Sequence, residues 1–240
     1  MRWVVALLLL AAAPAFAADA RRSGFDDMSP QLQAIERDDA ANPAMLWVKE
    51  GEAMWGRECA RCHGDAATSM RGVAARYPSF DAATRRPITL GQRLATHQRA
   101  TPLVPESDAL LGIESYVALQ SRGMPIAPPD DPRLQPYRAR GEQLFRRRIG
   151  QLDFSCAQCH DDHAGQRLGG STIPQAHPTG YPQYRLEWQA MASLQRRLRS
   201  CISGIRAQTY DYGAPELVEL ELYLMSRARG MPMETPAVRP

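Results

Sequence analysis

The 240-residue sequence predicts an all-α fold in two tandem repeats behind an extended N-terminal segment. Three observations predict it. A C-x-x-C-H pentapeptide occurs twice, as Cys59-Ala-Arg-Cys62-His63 and as Cys156-Ala-Gln-Cys159-His160. Apolar residues recur at helical spacing around both copies. Two further segments match between the halves. Leu90-Gly-Gln-Arg93-Leu94-Ala-Thr-His97 aligns with Leu194-Gln-Arg-Arg197-Leu198-Arg-Ser-Cys201. Leu110, Ile113, Glu114 and Tyr116 stand opposite Leu217, Leu220, Glu221 and Tyr223, and each series runs on to Arg-Gly-Met-Pro.

The elements follow in order. Met1-Arg2, an apolar run from Val4 to Ala13 and the small-residue site Ala15-Phe16-Ala17 read as a signal peptide over residues 1–17. Residues 18–44 are a polar lead-in with a short helix near Gln31–Arg37. The first repeat, 45–125, opens with a helix over Ala44–Glu58, on Met45, Leu46, Val48, Met54 and Trp55, that delivers the first pentapeptide. An irregular stretch to Pro87, a helix over Ile88–Gln98 and a helix from Glu106 to Ser121 follow. Pro128-Pro129-Asp130-Asp131-Pro132 marks a linker over 126–135. The second repeat, 136–240, should hold helices over Pro136–Arg148, Leu186–Ser203 and Pro215–Arg229.

The pentapeptides carry the chemistry. Two thiols two residues apart can add across the vinyl groups of one haem, and the adjacent histidine then reaches its iron. Four of the five cysteines serve this pattern. A zinc site from two such pairs needs them about 15–20 residues apart, and Cys62 and Cys156 lie much further apart than that. A thioredoxin-like pair needs a βαβ setting, which is absent. The order helix, C-x-x-C-H, loop, short helix, Leu/Tyr-rich helix is that of class I cytochrome c. Two such domains carry two covalently bound haem c groups, through Cys59 and Cys62 and through Cys156 and Cys159, with His63 and His160 as axial ligands. Haem attachment and the leader place the chain in a bacterial periplasm. No later stretch is apolar enough to span a bilayer. A net charge of +3 does not argue for nucleic acid, and Lys49 is the only lysine among the basic residues.

The opposite axial positions fall to His97 and Cys201, which are equivalent in the repeat and can both bind iron. Met124 and Met231 follow the final helices and read as packing residues. Met70 and Met191 do not match between repeats. His163 and His177 read as structural or solvent-facing. Cys201 is the unpaired fifth cysteine. Arg197 precedes it by one helical turn, among Arg196, Arg199 and Arg206. Such cations favour a thiolate and hold oxyanions in a planar fork, which points to an anionic sulfur substrate.

The chain resembles the SoxA family of dihaem cytochromes from the periplasmic thiosulfate-oxidising system. The resemblance is carried by Asn42–Gly51, Cys59–Gly64, Ser69–Tyr77, Ser121–Pro125, Tyr184–Trp188, Leu194–Cys201 and Tyr212–Pro232. It implies L-cysteine S-thiosulfotransferase activity, with Cys201 as distal ligand and persulfide-bearing catalytic sulfur and Arg197 as substrate-binding residue. It further implies that thiosulfate is joined to a cysteine of the carrier SoxYZ, while electrons leave through the monohaem partner SoxX to a cytochrome c. Many dihaem members carry a cysteine where this chain has His97. Two other functions compete: a plain dihaem electron carrier, and a thiosulfate dehydrogenase that forms tetrathionate without a carrier protein.

Overall fold

The computed structural model describes residues 19–97 and 103–240. The expected leader over 1–17 and the expected helix terminus at Gln98 lie outside the described residues. The chain is mostly helical, and the helices form two similar sets.

The N-terminal lead-in carries α1, Pro30–Arg37, capped by Ser29, whose side chain accepts from the Leu32 N–H. In the first set, α2 spans Met45–Met54. It continues through a wider turn at Trp55–Cys59 into a single turn, Ala60–His63, that ends the first pentapeptide. The expected single helix is therefore present but loosens where the cysteines begin. α3 spans Leu90–Thr96 and α4 spans Asp108–Leu119. In the second set, α5 is Gln135–Arg146, α6 is Leu194–Gly204 and α7 is Pro215–Arg227.

The helix expected over Leu186–Ser203 is only partly there. Its first part is a hairpin: β5 Gln183–Arg185 pairs antiparallel with β6 Ala190–Ala192, and α6 begins after it. Gln189 takes a φ of +46° at the turn, a conformation a helix does not admit. Ser193 then caps α6 by accepting from the Arg196 N–H. The first set repeats this arrangement. β1 Ser79–Asp81 pairs with β2 Arg86–Ile88, Arg85 takes a φ of +57° and Thr89 forms a reciprocal capping box with Gln92 at the start of α3. Ile88, expected in that helix, is thus a strand residue. A further hairpin, β3 Arg167–Leu168 with β4 Ser171–Thr172, lies in the loop after the second pentapeptide. β7, Ala237–Arg239, adds parallel to β5.

Helices α2 and α4 cross where two backbones touch. A Cβ on Gly51 would fall 2.0 Å from the carbonyl oxygen of Gly112 and 2.8 Å from the Tyr116 Cβ. Helices α5 and α7 repeat the crossing at Gly141 and Glu219, beside Tyr223. Only glycine permits so close an approach. Met54, Trp55, Leu90, Leu110, Ile113 and Val117 fill the first core, and Phe145, Leu194, Leu220, Tyr223 and Leu224 the second. Met231 is buried in the first core, so the end of the second set helps to close the first. Met191 is buried against Ala44 and Leu111, and Met70 packs at the edge of the first core. Ile126, in the connecting stretch, is fully buried and exchanges backbone hydrogen bonds with Gly230 and Met231. Arg239 of β7 is buried between Glu36 of α1 and Glu234, which ties the lead-in to the second set.

Between the two sets lies a cavity of about 120 Å³, lined among others by Glu106, Glu114 and Glu221. The carboxyl of Glu114 accepts from the Gly91 N–H, and Glu221 accepts from Gln195 Nε2 at 3.5 Å. Each final helix thus places its repeat-matched glutamate on the first turn of the preceding helix.

Candidate functional site

The second pentapeptide starts from a reciprocal cap. Ser155 Oγ accepts from the Gln158 N–H at 3.2 Å, and Gln158 Oε1 accepts from the Ser155 N–H at 2.9 Å. This S-x-x-Q box fixes the turn that holds Cys156 and Cys159. Burial, then the charge of Cys201, pushes the Cys156 thiol up to about 11. His160 follows, with Nδ1 2.7 Å from the carbonyl oxygen of Pro174. A carbonyl only accepts, so Nδ1 carries the proton and Nε2 keeps its lone pair. Burial lowers the His160 pKa and favours the neutral ring. A neutral imidazole oriented through its other nitrogen is the form in which histidine binds metals.

His160 and Cys201 line one cavity of about 420 Å³. One wall is the stripe Leu194, Arg197, Leu198 and Cys201 of α6, spaced i, i+3, i+4 and i+7. Another is formed by Gln183 and Arg185, on one side of β5, with Tyr181 just before it. The volume suits a small-molecule or cofactor site. Arg197 is largely buried in this wall. Burial opposes its charge, but the neighbouring Cys201, Tyr181 and Glu187 outweigh that, and its pKa is raised. Cys201 is half-buried and forms no disulfide. Arg197 and Cys201 therefore share one helix face toward one cavity, as the sequence predicts.

At the first pentapeptide Cys59 is buried and Cys62 exposed. Trp55 Nε1 donates to the Gly64 carbonyl at 3.0 Å and its ring lies 5.8 Å from that of His63. The His63 and His97 rings have centroids 6.1 Å apart, tilted by 53°. Two metal–nitrogen bonds of about 2 Å each plus the ring radii span roughly that distance. His97 Nδ1 lies 3.0 Å from the Arg93 carbonyl oxygen, which leaves Nε2 as the lone-pair nitrogen, as at His160. The donor sets at both pentapeptides thus fit a covalently held haem: paired thiols, an adjacent imidazole and a second donor close to it at the first or in the same cavity at the second. His163 is exposed, and His177 Nδ1 meets the Arg22 carbonyl oxygen at 2.8 Å, in keeping with non-ligand roles.

Sequence reasoning missed the Pro174 carbonyl, the strand face at Tyr181, Gln183 and Arg185, and the Arg227–Asp161 ion pair at 2.7 Å that holds the second motif turn against α7. The strand face did leave a signal, an alternation of polar residues with Pro182 and Tyr184. A backbone carbonyl leaves none.

Among the described residues no helix is long and apolar enough to cross a membrane. Residues 44–126 and 140–233 match the family model of the SoxA/TsdA cytochrome c domain. The L-cysteine S-thiosulfotransferase subunit SoxA of Pseudaminobacter salicylatoxidans is 36% identical over 229 residues, 90% of this chain and 80% of the relative. The subunit of the same name from Rhodovulum sulfidophilum is 33% identical, over 92% of this chain and 81% of the relative. The crystal structure of SoxXA from P. pantotrophus superposes with a TM-score of 0.86 at 33% identity, covering 95% of this chain and 91% of the matched chain. A cytochrome c domain matched in two copies implies covalently attached haem c, and with these relatives across nearly the whole chain, the protein belongs to the SoxA/TsdA cytochrome c family, on its SoxA side.

Proposed function

We propose that the chain is the catalytic haem subunit of a periplasmic L-cysteine S-thiosulfotransferase. It would join thiosulfate to a cysteine of a carrier protein of the SoxYZ type and work in complex with a SoxX-type cytochrome. The observation that carries this reading is the shared helix face of Arg197 and Cys201 in a cavity that an oriented His160 also lines.

Two haem c groups would be held, one by Cys59, Cys62 and His63 with His97, the other by Cys156, Cys159 and His160 with Cys201. A bound haem supplies a one-electron acceptor at each site. Arg197 binds the sulfonate oxygens of thiosulfate through its planar fork and turns the outer sulfur toward Cys201. The Cys201 sulfur, carried as a persulfide, forms an S–S bond with that outer sulfur. Two electrons leave for each bond formed, to the partner cytochrome and onward. A carrier cysteine thiolate then attacks the thiosulfate-derived sulfur. It takes the thiosulfonate group, and the Cys201 persulfide leaves as the anion, in the manner of thiol–disulfide exchange. Neighbouring arginine charge favours the anion as leaving group.

The test is thiosulfate-dependent reduction of an acceptor cytochrome by the haem-loaded complex with SoxX, with and without SoxYZ, and mass spectrometry of the carrier. Transfer that needs the carrier and vanishes in Cys201→Ala supports the reading. Tetrathionate formed without a carrier would replace it with a thiosulfate dehydrogenase, and no thiosulfate-dependent reduction would leave an electron carrier.

A further inference from the structure

We propose that Arg185, with the hydroxyl of Tyr181, forms a second oxyanion subsite in the cavity at Cys201, alongside Arg197. The inference rests on the reading of that cavity given above and adds binding groups to it.

The strand supplies the placement. Side chains alternate across a strand, so Gln183 and Arg185 share one side of β5, and Tyr181, just before the strand, lines the same cavity. Tyr184 points the other way, its ring 5.9 Å from that of Trp47. Gln183 Nε2 donates to the Tyr181 hydroxyl oxygen at 3.1 Å. That oxygen is used there as an acceptor, so its own proton is left to donate. Arg185 and Arg197 line the same cavity as that hydroxyl.

Arg185 is held at its outer end only. Its Nη2 donates to Glu187 at 3.0 Å, and the guanidinium lies 5.3 Å from the Trp188 ring centroid. The side chain is 12% exposed, and its Nε is buried with no hydrogen-bond partner among the described residues. A buried N–H of a charged group calls for an acceptor. The two donors together select an acceptor-only anion with several oxygens. Two ligands offer that chemistry here: the sulfonate of thiosulfate and a haem propionate carboxylate.

Arg185→Gln, Arg185→Lys and Tyr181→Phe, each in the full haem-loaded complex with SoxX, separate these sources. Three quantities are read: KM and kcat for thiosulfate, the midpoint potential of the second haem, and the spectral change on titration with sulfate, an unreactive oxyanion probe. For a sulfonate subsite, Arg185→Gln raises KM and weakens sulfate binding about tenfold, leaves the potential in place, and Arg185→Lys recovers part of the loss. For a propionate subsite, KM and sulfate affinity hold while the potential falls, because a cation beside the haem is gone. Tyr181→Phe should move the same readout to a smaller degree, and it carries the test if Arg185→Gln fails to fold. Folded, haem-loaded variants with KM, sulfate affinity and potential all unchanged overturn the proposal. A wild type without thiosulfate turnover would sink the transferase reading, yet sulfate binding and the potential would still decide the role of Arg185.

Discussion

A Cβ placed on Gly141 would lie 2.0 Å from the carbonyl oxygen of Glu219. Helix α5 thus meets α7 backbone to backbone, and Gly51 meets Gly112 in the same way. Nothing at this contact can yield except the helices themselves. Gly141→Ala is expected to destabilise the protein by on the order of 3 kcal/mol or more. Gly51→Ala should behave alike. Gly56→Ala, where a Cβ meets nothing within 4 Å, is the control. Thermal unfolding of the three variants checks this, and equal midpoints would refute the backbone contact.

Arg197→Lys keeps the charge in the wall beside Cys201 and loses the planar fork. KM for thiosulfate should rise about tenfold or more, the equivalent of about 1.4 kcal/mol. Arg197→Gln should cost more, since the charge goes as well. Steady-state kinetics on both variants decides. A lysine variant with wild-type KM would show that charge alone is used.

If each pentapeptide holds a haem as proposed, replacement of His97 by alanine should change the one at Cys59 and Cys62 and leave the other alone. Electron paramagnetic resonance of the oxidised protein is expected to lose one low-spin signal, with the Cys201-linked signal intact. Two undisturbed signals would remove His97 from the ligand set.

Glu114 is pushed up to about 8 by burial and by the nearby Glu221 and Glu106, and burial pushes Glu221 up to about 7. Each ordinarily titrates near 4.5. The folded chain therefore binds these protons more tightly than the unfolded chain. Their contribution to stability is complete below about pH 4.5 and is lost as pH rises through 7 to 8. Urea midpoints should decline from pH 5 to pH 8. Glu114→Gln, which keeps an acceptor for the Gly91 N–H, should flatten that decline. An unchanged slope in the variant would rule the carboxyl out as its source.

The pentapeptides, most of each helix and the register that sets His97 against Cys201 were legible in the sequence because each repeats. The strands were not. β5 and β6 are three residues each, too short for a period to declare itself, and β7, which completes their sheet, arrives from the far end of the chain. The apolar residues Leu186 and Met191 read as helical when the turn at Gln189 is not foreseen. Thr89 and Ser193 were the available markers. Both are hydroxyl caps that end a hairpin and begin a helix, one residue before the matched leucines.

Helix α3 ends at Thr96, and His97 stands just beyond it on extended backbone, φ −69° and ψ 138°. Cys201 is inside α6, which continues to Gly204. The two matched positions are thus unequally free to drift. A different side chain at 97 changes one donor and no helix. At 201 any shift that suits a new side chain also re-aims Arg197 one turn away. Natural variation within the family should accordingly gather at the first position, which makes it the more tunable of the two matched places.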